Sequence, residues 1–302
     1  MNRHEQYEVL IVGGSYAGLS AAMTLGRSLR KVLVLDSGHP CNRQTPHAHN
    51  FITQDGVKPA EIARKAKSQV LSYDTVTCMD ATVIKAERMN DQFIVHTTED
   101  SFTGKKLLFA TGVKDLIPAI GGFSECWGIS VLHCPYCHGY EVRGRTIGLI
   151  ANGQTAFDLC ILIQHWTDDL TLYTNGSAEL SSEQIQHIQK LGIGIVDTQI
   201  ARLIHRDGYV SEILFRDRSA RPVEAIFSRV PFQQHCSVPV ELGCDLTEQG
   251  HIDVDFFQKT SIEGVFCAGD CTTPFRALTH AAASGNKAGV FINMELIQEE
   301  VY

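Results

Sequence analysis

A glycine-rich turn between the first strand and the first helix constrains the fold more than any other feature of this sequence. Residues 7–14 (YEVLIVGG) are predicted to form a strand, residues 15–28 (SYAGLSAAMTLGRS) a helix, and residues 31–38 (KVLVLDSG) a second strand. A strand, a helix and a second strand in this order form a βαβ unit whose strands are parallel in one sheet. The chain is therefore predicted to begin with a doubly wound α/β domain.

The turn itself, residues 13–18 (GGSYAG), is a candidate dinucleotide site. Gly13 permits a tight turn and Gly18 a close helix–strand packing, so that free N–H groups at the helix start can face a pyrophosphate. Asp36 ends the next strand, 18 residues past Gly18, where an acid can accept a hydrogen bond from a ribose hydroxyl. Ser15 replaces the middle glycine of the usual pattern and still permits a near approach. A merely tight βα turn is the alternative, and it leaves Asp36 unexplained.

A second βαβ-like pattern begins near residue 145. It consists of a predicted strand (TIGLIA), an amphipathic helix (QTAFDLCILIQHW) and another strand (DLTLYT). Near the C-terminus a strand ends in Gly269-Asp270, and an Ala/Gly-rich helix follows. We therefore predict an α/β protein with two Rossmann-like (doubly wound, three-layer) nucleotide-binding domains, the second inserted in the first. Residues 1–115 and 243–302 would form the split domain and residues 116–242 the inserted one.

The segment HCPYCHGY (residues 133–140) contains a candidate redox pair, Cys134 and Cys137. Two cysteines separated by two residues can close a small disulfide loop, and the thiolate of such a pair is often stabilised enough to act as a nucleophile at neutral pH. The alternatives are unreactive buried thiols or half of a zinc site. Zinc would need four ligands, of which His133 or His138 could be one, but the sequence has no second CxxC pair.

His138 directly follows the second cysteine. Its unperturbed pKa of about 6.5 lies near working pH, so it is a candidate acid/base group. An ordinary surface or hydrogen-bonded histidine is the alternative. The remaining cysteines are expected to be packing thiols, including Cys267 and Cys271, whose C-x₃-C spacing falls at a strand-to-turn junction.

Four segments occur in an order that resembles the low-molecular-weight thioredoxin reductase family of flavoproteins, the class II pyridine nucleotide-disulfide oxidoreductases. They are GGSYAGLSAA, FATG (Phe109 to Gly112), HCPYCHGYE and CAGD. The resemblance implies a tightly held FAD and electron passage between FAD and the Cys134–Cys137 pair. It also implies that Cys137 lies against the flavin and that Cys134 attacks the substrate disulfide. A homodimer is common in this family.

The site residues that these motifs and the resemblance predict fall in two groups. The catalytic group is Cys134, Cys137 and His138, and the cofactor-binding group is Gly13, Gly14, Ser15, Ala17, Gly18, Asp36, Ala110, Thr111, Gly112, Gly269 and Asp270.

The chain departs from the reductase pattern in two places. Reductases of this family usually carry an acid after the second cysteine, whereas His138 resembles the variant of small-molecule dithiol oxidases. In addition, residues 151–156 (ANGQTA) lack the first glycine of an NADPH fingerprint, and no arginine or lysine follows the next strand before Lys190. A 2′-phosphate would find no bidentate partner there. The favoured interpretation is a second nucleotide-type fold that has lost NADPH; retained NADPH use is the alternative.

The leading functional hypothesis is an FAD-dependent dithiol/disulfide oxidoreductase acting on a small-molecule dithiol or disulfide or on a thioredoxin-like protein. The direction of electron flow stays open, with NADPH, oxygen or a carrier such as ferredoxin as the electron partner. One alternative is a flavin-binding redox sensor without turnover. Another is a flavoenzyme acting on carbon–hydrogen bonds, in which the CxxC pair is incidental.

Charge and hydropathy exclude other classes. The formal net charge of −8 offers no basic face for nucleic acid and no polybasic membrane anchor. The aliphatic runs are shorter than the roughly 20 residues that span a bilayer. A strand is predicted within the first ten residues, which leaves no room for a signal peptide, so a cytoplasmic location is expected.

Overall fold

The computed structural model describes residues 6–301, and its strands and helices follow the predicted alternation. The strands are β1 (Gln6–Val12), β2 (Val32–Asp36), β3 (Val76–Asp80), β4 (Val83–Met89), β5 (Gln92–Thr97), β6 (Ser101–Phe109), β7 (Val113–Asp115), β8 (Val131–Leu132), β9 (Ile147–Ile150), β10 (Leu170–Tyr173), β11 (Gly194–Val196), β12 (Ile200–Arg206), β13 (Tyr209–Phe215), β14 (Ala220–Pro222), β15 (Ala225–Ser228), β16 (Phe232–Gln234) and β17 (Val265–Cys267). The helices are α1 (Tyr16–Arg27), α2 (Pro59–Val70), α3 (Phe123–Cys126), α4 (Pro135–His138), α5 (Gly153–Ile163), α6 (Ser182–Lys190), α7 (Val238–Glu241) and α8 (Leu278–Val301), with a 3₁₀ turn at Asp270–Thr272.

As far as the structure describes it, the chain divides into two compact units. The first unit comprises residues 6–43, 59–114 and 232–301, and the second comprises residues 44–58 and 115–231. The second unit thus ends at Pro231, before the limit of 242 expected from sequence. It also includes residues 44–58, which the sequence analysis assigned to the first domain. A short β-bridge between Ala48 and Val57 closes this segment on itself as a hairpin.

The sheet of the first unit has the order β3-β2-β1-β6-β5-β4, and β17 pairs with the second half of β6. Its β3, β2, β1, β6 and β17 strands are parallel, while β4 and β5 are antiparallel additions. Residues 32–35 (VLVL) of β2 are all buried, as expected for a parallel strand with both faces covered. The predicted βαβ opening is confirmed, because β1 and β2 pair in parallel with α1 between them.

Helices α1 and α8 pack closely together in the first unit. The Ser20 hydroxyl on α1 donates a hydrogen bond of 2.7 Å to the carbonyl of Ala282 on α8. The buried positions of both helices are mostly alanine and glycine, and such small side chains permit a close helix approach. The C-terminal Ala/Gly-rich helix predicted from sequence is therefore confirmed.

The second unit contains a parallel sheet of order β11-β10-β9-β15-β8 and an antiparallel sheet of order β12-β13-β14. Helix α6 begins with a capping box: Gln184 N–H donates to the Ser181 hydroxyl, and Ser181 N–H donates to the Gln184 side chain. The predicted second βαβ pattern corresponds to β9, α5 and β10, so the fold class of two Rossmann-like domains is confirmed. No helix within residues 6–301 is both long and apolar enough to cross a bilayer.

Candidate active site

The first βα turn lies at the carboxyl end of β1 and is closed by tight backbone contacts. Gly13 has φ +107°, and a Cβ there would overlap the carbonyl oxygen of Ala110. A Cβ on Gly18 would overlap the carbonyl oxygen of Gly13 itself. Both positions therefore require glycine, since side chains would separate α1 from β1 and β6.

Asp36 lies beside this turn at the end of β2. Its carboxylate accepts a hydrogen bond of 3.1 Å from the backbone N–H of Gly14. This bond ties the end of β2 to the turn and orients the acid where the two parallel strands end. The carboxyl ends of such strands are where α/β folds bind ligands. Ribose binding by Asp36 stays a prediction.

A cavity of about 670 Å³ opens in the first unit over this turn. Its lining includes the predicted residues Gly13, Gly14, Ser15, Asp36, Ala110 and Thr111. Ala17 and Gly18 are buried in α1 below it. Gly112, Gly269 and Asp270 are not part of the lining. Gly269 instead donates its N–H to the Ser284 hydroxyl at 3.0 Å, and Asp270 pairs with Arg276 at 3.7 Å.

Three cationic side chains that the sequence analysis missed also line this cavity: Arg43, Arg64 and Lys67. Arg64 and Lys67 are three residues apart on α2 and so share one face of that helix. The i, i+3 spacing of Arg64 and Lys67 can be recognised in the sequence. That this face of α2 borders the glycine turn is visible only in the folded structure. Lys67 pairs with Asp80 at 3.1 Å, and Arg43 and Arg64 add positive charge to the cavity lining, which suits a phosphate-bearing ligand.

An unsatisfied polar atom in the cavity supports the binding of a dinucleotide such as FAD. The Thr111 hydroxyl is buried and makes no hydrogen bond within the protein. A buried polar atom without a partner costs free energy unless a ligand or water satisfies it. Together with the glycine turn and the cationic side, this atom indicates a polar ligand in the cavity.

The second βα turn, between β9 and α5, differs from the first because the Asn152 side chain makes hydrogen bonds across it. Asn152 caps α5, and its Oδ1 accepts from the backbone N–H of Gly153 (2.9 Å) and of Glu179 (2.8 Å). Its Nδ2 donates to the carbonyl of Ser177 at 2.9 Å. The Glu179 carboxylate lies over Gly153, 3.9 Å from where a Cβ would be. A carboxylate facing the start of α5 repels the phosphates that such a turn usually receives.

The polar side chains at the end of β10 also make hydrogen bonds within the second unit. Thr174 donates its hydroxyl hydrogen to the carbonyl of Gly176 at 2.7 Å. The Asn175 side chain accepts from the backbone N–H of Ile200 at 2.7 Å. The sequence has no arginine or lysine between residues 146 and 189. No described cation therefore follows this strand end to hold a 2′-phosphate.

Asn152→Ala tests how firmly this turn is closed. The variant loses three hydrogen bonds, one of which caps the helix, so we expect the free energy of unfolding to fall by about 1–2 kcal/mol. Urea denaturation followed by circular dichroism measures the change. Gln186→Ala, at an exposed position on α6, is the control and should change stability by less than about 0.5 kcal/mol. Equal stability of the two variants would mean that the Asn152 bonds do not hold the turn.

Cys134 and Cys137 form a disulfide in the second unit, with Cα atoms 5.3 Å apart. Cys134 precedes the short helix α4, and the backbone N–H groups of Cys137 and His138 both donate to its carbonyl at 3.2 Å. The Tyr136 side chain between the cysteines is 65% exposed, and its ring contacts Trp166 edge-on at 5.8 Å. The loop thus presents the disulfide on a short, hydrogen-bonded turn, where a thiolate can reach it.

Several of the thiols outside this pair have raised pKa values, whereas a hydrogen bond from Cys267 lowers the pKa of the buried Cys271. Burial raises the pKa of Cys160 to about 12, and burial also raises the pKa values of Cys78, Cys236 and Cys244. A thiol with a raised pKa is a poor nucleophile at neutral pH. Within residues 6–301 no group of three or more His, Cys, Asp or Glu side chains could hold a metal ion. The zinc alternative therefore finds no ligand set among the described residues.

His138 has an unusual environment. Both of its ring nitrogens are buried and make no hydrogen bond. Burial lowers the pKa of His138, while the Glu141 carboxylate and the backbone of His47 raise it and the His49 ring lowers it. An imidazole whose pKa is lowered is neutral at pH 7 and can accept a proton from a thiol.

A disulfide on a short turn, in a chain with a nucleotide-type cavity and a second nucleotide-type unit, defines a disulfide oxidoreductase of the two-Rossmann-domain class. Residues 7–285 match the family model described as pyridine nucleotide-disulphide oxidoreductase. The chain belongs to this family and is a thioredoxin reductase-like enzyme. Membership implies FAD and, usually, NADPH.

Individual relatives agree with this assignment. The thioredoxin reductase aclD of Aspergillus oryzae is 30% identical over 97% of this chain and 98% of its own length. The thioredoxin reductase tcpT of Claviceps purpurea is 30% identical over 97% and 95%. The crystal structure of an oxidoreductase from Agrobacterium tumefaciens is 31% identical, covers 97% of this chain and 99% of its own, and superimposes with a TM-score of 0.91.

Proposed function

We propose that this protein is an FAD-dependent dithiol oxidase that works without NADPH. The observation that carries the proposal is the second βα turn, where the Asn152 side chain accepts from the backbone N–H groups of Gly153 and Glu179, and the Glu179 carboxylate lies beside Gly153. Without a pyridine nucleotide, the thiol substrate itself can supply the electrons, and a carrier such as ferredoxin is the other candidate donor. The overall reaction is R(SH)₂ + O₂ → RS₂ + H₂O₂, in which the dithiol loses two electrons and two protons and dioxygen gains them.

The Cys134–Cys137 disulfide receives the electrons of the substrate. A substrate thiolate attacks Sγ of Cys134, which forms a mixed disulfide and releases Cys137 as a thiolate. The second substrate thiol loses its proton and attacks the substrate sulfur of the mixed disulfide. The substrate leaves as a disulfide, Cys134 leaves as a thiolate, and the cysteine pair has gained two electrons. These roles follow the family order in which Cys134 meets the substrate.

His138 takes up the proton that the substrate thiol loses. Its lowered pKa keeps the ring neutral at pH 7, so a nitrogen is free to accept. A carboxylic acid in this position, as in the reductases, is suited to donating a proton. The histidine therefore supports the oxidative direction.

The cavity of the first unit is the proposed FAD site. Gly13, Gly14 and Ser15 would face the pyrophosphate, Asp36 the ribose, and the Thr111 hydroxyl a polar group of the cofactor. When bound, FAD supplies a two-electron acceptor for the reduced cysteine pair and a donor to dioxygen. Binding of FAD by Ala17, Gly18, Ala110, Gly112, Gly269 and Asp270 remains predicted from the family motif.

The substrate is proposed to be a small-molecule dithiol, with a thioredoxin-like protein as the other candidate. The relatives from Aspergillus oryzae and Claviceps purpurea are thioredoxin reductases, which supports a disulfide-forming or disulfide-breaking role. The homodimer and the cytoplasmic location stay predictions from the family and the sequence.

An anaerobic titration tests the function. We expect NADPH and NADH to leave the flavin oxidised, because Glu179 and the absence of a basic residue disfavour the nucleotide. Dithiothreitol should bleach the flavin fully, and admission of air should restore its colour with one H₂O₂ per dithiol. The measurements are flavin absorbance and a peroxidase-coupled peroxide assay.

Two results would contradict the proposal. Rapid bleaching by NADPH would make a thioredoxin reductase the better description. Bleaching by no dithiol and by no nucleotide would favour the flavin-binding sensor.

A further inference from the structure

The unsatisfied imidazole of His138 needs a route by which its proton can leave. Both ring nitrogens are buried without a hydrogen bond, although buried polar atoms in proteins nearly always have a partner. A base that accepts a proton in each turnover has to release it again. A buried nitrogen cannot release it directly to bulk water, so a second titratable group is required nearby.

His49 is the group placed to receive this proton. Its ring contacts the ring of His138 edge-on, with centroids 6.2 Å apart. The two residues lie far apart in sequence but belong to the same compact unit. The His47 ring, at 6.5 Å, is the other imidazole beside His49.

Two carboxylates flank His49. Its Nδ1 lies 3.6 Å from Oε1 of Glu141 and 3.6 Å from Oδ1 of Asp55. The side chains become steadily more accessible along this series, from 19% for His49 to 36% for Glu141 and 68% for Asp55. Asp55 is also fixed in place, because it accepts from the backbone N–H of Asn50 at 2.8 Å. The series therefore leads from a buried ring to water.

We propose that His49 and Glu141 act through His138: they adjust its pKa as positioning residues, and they relay protons between its ring and solvent. This inference rests on the proposed function and adds two residues to it. One turnover removes two thiol protons: the first leaves to solvent when the attacking thiolate forms, and His138 accepts the second. That proton passes through a bridging water to His49 and then, through Glu141 or Asp55, to solvent, and the two protons of H₂O₂ are taken up from solvent. No electron moves along this route.

The two residues affect His138 in opposite directions. Glu141 raises the pKa of His138 and His49 lowers it, while burial is the largest cause and lowers it. Below its pKa His138 is already protonated and cannot accept from the substrate, so the rate falls on the acid side. Glu141→Gln should therefore move the acid limb of kcat/KM to lower pH, and His49→Gln should move it to higher pH. A merely structural defect would not give shifts of opposite sign.

The first experiment uses the flavin-loaded protein with dithiothreitol as substrate and oxygen consumption as the assay. We expect both variants to lower kcat about tenfold, which is less than the roughly 10²–10⁴-fold contribution of a direct general acid or base, because both residues act through His138. The solvent deuterium isotope effect should rise in both, since proton transfer becomes slower. His187→Gln and Glu183→Gln, at exposed positions of α6 in the same unit, are the matched controls and should keep the wild-type profile.

The second experiment does not depend on turnover. The anaerobic, fully reduced protein is alkylated with iodoacetamide across pH, and modification of Cys134 is followed by peptide mass spectrometry. The charge on His138 stabilises a neighbouring thiolate, so the alkylation profile should shift in opposite directions in the two variants.

The outcomes separate the inference from the function. Opposite shifts in both experiments support the relay. Profiles that match the wild type, or that shift in the same direction in both variants, overturn it even if dithiols are oxidised. If the wild type oxidises no dithiol, the proposed function fails, and the alkylation profiles still decide whether His49 and Glu141 govern His138.

Discussion

Cys134→Ser is expected to lower kcat/KM for dithiol oxidation to about one-thousandth of the wild-type value or less, a loss typical for removal of a nucleophilic or electrophilic centre. A serine oxygen cannot form a disulfide, so the substrate has no sulfur to attack and its electrons have no acceptor. Oxygen consumption with dithiothreitol measures the loss. Cys41→Ser, which replaces an exposed cysteine outside the disulfide, is the control and should retain full activity.

Cys137→Ser should be equally inactive, but it should differ in the covalent species that it forms. Incubated with a small disulfide, the remaining Cys134 thiol forms a mixed disulfide that no neighbouring thiol can resolve. Intact-protein mass spectrometry should show this adduct in Cys137→Ser and much less of it in Cys134→Ser. If either serine variant keeps more than a tenth of wild-type activity, the CxxC pair is incidental, and the alternative of a different flavoenzyme regains weight.

Gly18→Ala is expected to have the largest effect on stability. The added Cβ overlaps the carbonyl oxygen of Gly13, a backbone atom that cannot rotate away, so α1 has to move off β1. Overpacking of this kind costs about 3 kcal/mol or more. The same movement opens the turn below the cavity, and the purified variant should contain little flavin.

Urea denaturation and the flavin-to-protein ratio measure the two effects of Gly18→Ala. Gly194→Ala is the control, because its Cβ would meet only the Thr171 side chain at 3.6 Å, an ordinary contact. We expect the control to change stability by about 0.5 kcal/mol or less. Wild-type stability and flavin content in Gly18→Ala would show that the close packing of α1 on β1 is not needed for the cavity.

Much of the architecture could be predicted because it depends on short-range patterns. The buried run of β2, the glycine turn and the small-residue helix α8 each have a local signature. The Ser181–Gln184 capping box that begins α6 is likewise local. Hydrophobic periodicity and helix capping depend on residues that are close in sequence, so such elements can be recognised without knowledge of the rest of the chain.

The division into units was less predictable. Residues 44–58 follow directly from the first βαβ unit, and nothing in their composition indicates that they pack with the second unit. The contacts responsible, such as His49 with Glu141, join residues almost a hundred positions apart. Contacts of this separation depend on the whole fold, and a single sequence carries no local signal for them.

The second βα turn likewise combines features that the sequence shows with a contact that only the fold creates. The missing glycine at Ala151 and the absent cations are visible in the sequence and predict a weakened NADPH site. The contact of Glu179 with this turn depends on the fold, because Glu179 belongs to the loop after β10 and reaches Gly153 only in the folded chain.

The chemical groups of the site can be read from the sequence: a glycine turn for a dinucleotide, a CxxC pair for electron transfer, and a histidine in place of an acid. Each of these depends on residue type and on spacing within a few positions. The surroundings of these groups depend on the fold. It placed the Arg64–Lys67 face of α2 on the cavity, buried the ring nitrogens of His138, and brought His49 beside that ring. Burial and long-range proximity set pKa values and proton routes, and both arise only when distant segments pack together.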